Sequence, residues 1–226
     1  MDVRELHAWP DTPQEAEAIQ DRLRPMLDLG RPGPQTIRTA AGLDVAYDED
    51  GDRLAAAVVV LDTATLEVVE ESTVVGTAAF DYVPGLFAFR ELPALVEALR
   101  KLTLVPDLLV SDGHGLAHPR RFGLACHLGA LTGLPSAGVG KTRLLGSYDP
   151  PGDDRGDASP LVDRGEIVGR ALRTQARIKP VFVSVGHRID LDTACRHVLA
   201  LSPRYRLPET TRQADQLCRR ALRDAT

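Results

Sequence analysis

No apolar run in this 226-residue chain approaches the roughly 18 consecutive residues that a membrane-spanning helix requires, so no membrane segment is expected. Cysteine is scarce. Cys126, Cys195 and Cys218 are odd in number, widely spaced and without a CxxC pair. That excludes a zinc ribbon and a disulfide scaffold, and it fits the reduced thiols of a cytoplasmic protein. The opening residues MDVRELHAWPDTPQEAE are too polar for a signal peptide and too acidic for a transit peptide. Internal repeats and low-complexity segments are also missing. What is there, 43% hydrophobic and 26% charged residues, suits an ordinary globular protein long enough for one large α/β domain.

A net charge of −5 argues against a polyanion as partner, but the charge is unevenly spread. Asp48, Glu49, Asp50 and Asp52 crowd one turn, and Asp153, Asp154 and Asp157 crowd a loop. From Gly113 to Tyr148 there is no acidic residue, while Arg120, Arg121, Lys141 and Arg143 supply positive charge. Arg173, Arg177, Lys179 and Arg188 extend it. A local basic surface can hold nucleic acid on a protein that is negative overall.

Thr12-Pro13-Gln14-Glu15 has the form of a capping box with proline at the first helical position, which predicts a helix over 13–29. Residues 36–76 then carry three β-rich runs joined by the turns DEDGD and DTAT, an antiparallel meander. LFAFRELPALVEALRKL has helical apolar spacing despite Pro93. Short apolar runs alternate with helical stretches through the rest of the chain, broken by a hairpin at LVDRGEIVGRALR. This order predicts a single α/β domain with a mixed β-sheet flanked by helices.

Three late segments share one pattern, an apolar strand ending on a turn with polar groups: LLVS before Asp112 and Gly113, AGVG before Lys141, and FVSVG before His187. In open α/β sheets, ligands bind beyond the carboxyl ends of strands, so Asp112, Lys141 and His187 are expected to converge. In AAGLDVAY, strand alternation places Asp44 with Gly42 and Ala46 on one face, with room for an ion or phosphate among small neighbours. Aspartate is disfavoured in mid-strand and asks for a reason. Two aspartates on adjoining strands form a hard-oxygen site suited to Mg2+, with Mn2+ as a substitute, and Glu91 is the candidate third carboxylate. Taken singly, each carboxylate reads more readily as a turn or cap residue; taken as a trio, the two readings are about even.

Other readings compete for the same residues. His114 and His118 have the i, i+4 spacing of a helical zinc site, but Gly115 and Pro119 argue against a helix across them. GVGKT resembles a phosphate-binding loop, yet Pro135 stands where that loop needs its first glycine. GHRIDLDTA reads equally as a strand–helix turn with Asp190 as N-cap.

The segments GLDVAY, DYVPGLFAFRE, SDGHGLAHPRRFGLACHLG, GVGKTRLLG, VGHRIDLDTA and YRLPETTRQAD resemble the endonuclease V family, in the family's order, over about residues 41–215. The resemblance implies a ribonuclease H-like fold and metal-dependent hydrolysis of the second phosphodiester bond 3′ to a deaminated purine, leaving 3′-hydroxyl and 5′-phosphate ends. It implies that Asp44 and Asp112 ligate Mg2+ or Mn2+, that Glu91 acts beside them, and that Lys141 and His187 contact phosphate or assist proton movements. Implied substrate contacts are Tyr82 as a wedge beside the lesion, with Pro84, Gly85, Leu86, Gly113, Gly115 and His118. Main-chain groups at Gly85, Leu86, Gly113 and Gly115 are expected to read the base edge, since glycine lets the backbone approach a ligand closely. The implied partners are DNA containing deoxyinosine and inosine-containing RNA, bound by a monomer. Asp81, Val185 and Thr210 depart from the family's usual prolines, and Asp81 bears on the stiffness of the wedge.

Overall fold

The computed structural model describes residues 1–49 and 53–225, so Asp50 and Asp52 of the acidic turn lie outside the described residues. Among the described residues there are eight strands, β1 Thr39–Tyr47, β2 Arg53–Asp62, β3 Val68–Thr77, β4 Leu108–Asp112, β5 Ser136–Gly140, β6 Ala158–Asp163, β7 Glu166–Leu172 and β8 Val181–His187. They form one sheet in the order β3-β2-β1-β4-β5-β8-β7-β6. The predicted meander is β1–β3, paired antiparallel. Strands β1, β4 and β5 are parallel to one another, so their carboxyl ends share one edge of the fold. Strand β8 runs antiparallel to β5. The α/β class and the mixed sheet are those expected.

Among the described residues five α-helices cover the sheet: α1 Pro13–Leu23, α2 Phe87–Lys101, α3 Leu124–Thr132, α4 Leu191–Ala200 and α5 Glu209–Asp224. Alternation along the strands decides which helix each face receives. Leu43, Ala56, Val58 and Val60 pack with Leu92, Leu95 and Leu99 of α2 and Leu128 of α3. The opposite face presents Ala46, Ala55, Ala57 and Val59 to Ala214, Leu217 and Cys218 of α5. Farther along that second face, Val110, Val139 and Val183 meet Ala194 and Val198 of α4. Pro93 does not stop α2, because its buried stripe of Leu92, Leu95, Val96 and Leu99 anchors the helix to the sheet.

The α1 capping box forms as its sequence indicates, with the Glu15 N–H donating to Thr12 Oγ1 at 3.3 Å and Glu15 accepting from the Thr12 N–H at 3.2 Å. The helix is shorter than the span 13–29, however. Pro25 cannot donate the next helical hydrogen bond, and the chain tightens into a 3-10 turn at Arg24–Met26 before turning extended at Leu27. Among the described residues no helix is long and apolar enough to cross a membrane.

Candidate active site

Register brings the two aspartates level. Leu43 lies opposite Ser111 in the parallel β1–β4 pair, so Asp44 and Asp112 follow side by side at the carboxyl edge. Glu91 reaches the same place from the first turns of α2, almost wholly buried. All three line one cleft of about 500 Å³, shared with Tyr47, Lys141 and Asp215. Burial first, and the neighbouring charge of Asp112 second, raise the pKa of Asp44 from 3.8 to about 7, against the opposing pull of Lys141. Burial and then the charges of Asp44 and Asp112 push Glu91 well above the ordinary glutamate value. Such mutual repulsion is what an added cation would relieve.

The Lys141 ammonium forms an ion pair with Asp112. Burial works against its charge, but the hydrogen bond and attraction to Asp112, helped by Asp44 and Asp215, leave its pKa raised. No group of three or more His, Cys, Asp or Glu among the described residues is placed to hold a metal by itself. The candidate donor set is an Asp44–Asp112 pair with Glu91 behind it. That suits Mg2+, which takes one or two carboxylates and keeps the rest of its shell for water and phosphate oxygens.

One small neighbour of Asp44 serves the packing: a Cβ at Gly42 would overlap the carbonyl group of Thr210, so this glycine admits the backbone of α5, while the room beside Asp44 lies on its cleft side. That close approach carries Asp215 and Arg219 into the cleft, joined at 3.0 Å. The sequence reading assigned neither a role. Their only signal was the charged face of the last helix, which resembles any solvated face. Tyr47 and His114 were missed as cleft residues as well.

Beside the carboxylates, the loop before α2 forms the other wall. Tyr82 is 68% exposed, its ring edge against Phe87 at a centroid distance of 5.7 Å, and it is no core tyrosine. Pro84, Gly85, Gly113 and His118 line the cleft with it. Gly85 and Gly113 have φ of +84° and +147°, where a side chain is strained. His118 fixes this wall: its Nδ1 accepts from the Arg120 N–H at 3.2 Å, so Nε2 donates to the Gly85 carbonyl at 2.9 Å. Burial holds its pKa down to about 4, so the ring is neutral and keeps that arrangement.

Three sequence-indicated residues lie elsewhere. His187 ends β8, and because β8 is antiparallel to β5 it pairs with Ser136, about 13 Å along the strand from Gly140. There its Nδ1 accepts from the Asp28 N–H at 3.1 Å, and the ring ties the segment after α1 to the sheet. Leu86 turns its side chain into the core and donates its N–H to the Val83 carbonyl at 2.9 Å. Gly115 donates to Ser184 Oγ at 2.7 Å and accepts from the Gly123 N–H at 3.0 Å, so neither of its main-chain groups is free to read a base. The Gly85 carbonyl is likewise engaged, by His118 and by Gln20. Asp190 caps α4, receiving the Thr193 N–H at 2.7 Å, which explains the GHRIDLDTA turn structurally.

Known proteins share this fold and much of this sequence. The family model described as Endonuclease V matches residues 21–216. An endonuclease V of Streptomyces avermitilis is 59% identical over 225 residues, covering 99% of this chain and 98% of its own. A crystal structure of endonuclease V from that species superposes with a TM-score of 0.93 at 58% identity, over 100% of this chain and 99% of that one. More distant is Ciona intestinalis endonuclease V, solved with a 23mer DNA containing an inosine followed by a ribo-adenosine (TM-score 0.82, 25% identity, 94% and 98% coverage). The matched stretch takes in each carboxylate of the cleft, from Asp44 to Asp215, and on that evidence the chain belongs to the endonuclease V family of phosphodiester-hydrolysing nucleases.

Proposed function

We propose that the protein is a DNA repair endonuclease that recognises a deaminated purine, chiefly deoxyinosine, and hydrolyses the second phosphodiester bond on its 3′ side, leaving 3′-hydroxyl and 5′-phosphate ends. The observation that carries this reading is the single cleft in which three coupled carboxylates adjoin an exposed aromatic loop. A divalent ion bound there, Mg2+ or Mn2+, would supply Lewis-acid polarisation of the phosphodiester and charge for the leaving oxygen. Asp44 and Asp112 would hold it. Glu91, which burial pushes well above the ordinary glutamate value, stands behind that pair and is the carboxylate suited to accept a proton. Lys141, already drawn to Asp112, is positioned to meet a phosphate oxygen.

The ring of Tyr82 would fill the gap left when the lesion leaves the stack, offsetting part of an unstacking cost of a few kcal/mol. His118 acts on the base indirectly, by pinning Gly85. With Leu86, Gly115 and the Gly85 carbonyl internally bonded, base reading would fall to the rest of the Tyr82–Gly85 segment and to Gly113, whose N–H makes only a long 3.4 Å bond to the Val139 carbonyl, not to a four-residue main-chain pocket.

A nicking assay tests the reading. Duplexes carrying one inosine should be cut in Mg2+ at the second 3′ phosphodiester, with matched adenosine and guanosine duplexes hardly touched; an inosine-bearing RNA in the same assay measures the rival substrate. Equal nicking with and without inosine would remove the base-recognition claim. A second expectation concerns the wedge. Tyr82→Ala should fold normally, with a melting temperature within about 2 °C because the side chain is exposed. Its affinity for inosine DNA should fall about tenfold. A large loss of melting temperature with unchanged affinity would make Tyr82 a structural residue.

A further inference from the structure

Resting on that reading, we propose that Tyr205, backed by Arg212, is a stacking platform for a nucleobase of the cut strand that lies beyond the scissile phosphate, on the side away from the lesion. Tyr205 is 51% exposed, on the connection between α4 and α5, and the Arg212 guanidinium lies over its ring at 4.6 Å from the centroid. Arg212 is itself held by Glu209, its Nε at 2.9 Å from Oε2. The Tyr205 carbonyl accepts from Gln175 Nε2 at 3.1 Å, so the platform's backbone is fixed as well. A fixed aromatic ring with one face on a cation and its remaining surface in water is suited to take a base, because every base offers a π-face.

The neighbours connect this ring to the cleft. Arg206 donates to the Lys141 carbonyl at 2.5 Å and to the Lys179 and Pro180 carbonyls, each at 2.9 Å. The residue after Tyr205 thus grips the backbone of the lysine that meets Asp112. Along α5, Arg212, Asp215 and Arg219 follow at helical spacing, leading from the platform into the cleft. Lys179 and Arg204 are exposed close by and offer charge to a phosphate backbone.

Polarity follows from the two faces of the sheet. The Tyr82 ring packs on Phe87 of α2, whose helix covers one face, and His118 holds Gly85 just before it, whereas Tyr205 lies against Arg212 of α5, which covers the opposite face. The carboxylates stand at the strand ends between them. A strand whose lesion sits at Tyr82 crosses the carboxylates before it reaches Tyr205.

The test is an abasic scan. Binding in Ca2+ is measured on inosine-bearing strands in which one nucleotide at a time on the 3′ side lacks its base. Wild type should lose about tenfold in affinity at one position beyond the scissile phosphate. Tyr205→Ala should lose about as much on the intact strand and become insensitive to that position, while Tyr205→Phe behaves as wild type. A flat scan with wild type overturns the platform whatever the variants do, as does a Tyr205→Ala loss that adds in full to the abasic loss. If wild type shows no inosine-directed nicking at all, the functional reading fails along with it; nicking with a flat scan sinks the platform alone.

Discussion

Asp112→Ala and Asp44→Ala are each expected to lower the cleavage rate about 1,000-fold or more, while affinity for inosine DNA measured in Ca2+ changes by less than about threefold. The magnitude follows from removing an oxygen ligand whose ion contributes several kcal/mol of transition-state stabilisation. Binding survives because the lesion wall, Tyr82 to Gly85 with His118, is built from other residues and pinned by other hydrogen bonds. Asp112→Ala also releases Lys141 from its ion pair, which favours phosphate binding and makes a loss of affinity harder still to produce. Single-turnover cleavage beside an anisotropy titration checks both halves. Cleavage within tenfold of wild type by either variant in Mg2+ would defeat the assignment.

The same aspartate should act with opposite signs on stability and on catalysis. The folded-state pKa of Asp44 is about 7 against 3.8 for the ordinary side chain. Below pH 3.8 the group is protonated in both states and costs nothing. As pH rises toward 7 the unfolded chain ionises while the folded chain resists, and stability is lost across that window. The full loss is of the order of 4 kcal/mol. At pH 8, Asp44→Asn should therefore melt several degrees above wild type although it is inactive. A divalent cation should raise the wild-type melting temperature at pH 8 and have little effect at pH 5. His118 and His187, both held near pKa 4 by burial, impose the reverse trend below about pH 6.5, so comparisons must be made at fixed pH. An equal cation effect at pH 5 and pH 8, or an Asp44→Asn variant no more stable than wild type, would show that the cleft carries no such repulsion.

What could be read from the chain and what could not divides along physical lines. Asp112 and Lys141 were legible because parallel strands deliver their carboxyl ends to one edge and apolar runs ending on polar turns mark those ends, and Asp44 because an aspartate among small residues in mid-strand is out of place. His187 has the same local signature and sits elsewhere, because strand direction is set by tertiary pairing: nothing within FVSVGH records that β8 runs against β5. Leu86 and Gly115 failed for a related reason. A glycine that admits a ligand and a glycine that admits a neighbouring strand look alike in sequence; at Gly115 the neighbour is β8. Asp215 was invisible because its meaning depends on Gly42, more than 170 residues earlier, allowing α5 to lie directly on β1. The helix over 13–29 was overrun at Pro25, a breaker plainly present in the sequence.

The seating of α5 on β1 also sets a timetable. During synthesis the strands bearing Asp44 and Asp112 emerge early, but the helix that supplies Asp215 and covers Ala46, Ala55, Ala57 and Val59 emerges after every strand it packs on. Until it arrives, that face of the sheet is bare and apolar, a state that chaperones guard and that cannot yet be the finished enzyme. A chain arrested before α5 therefore lacks both the cover of that face and one carboxylate of the cleft, however complete its sheet.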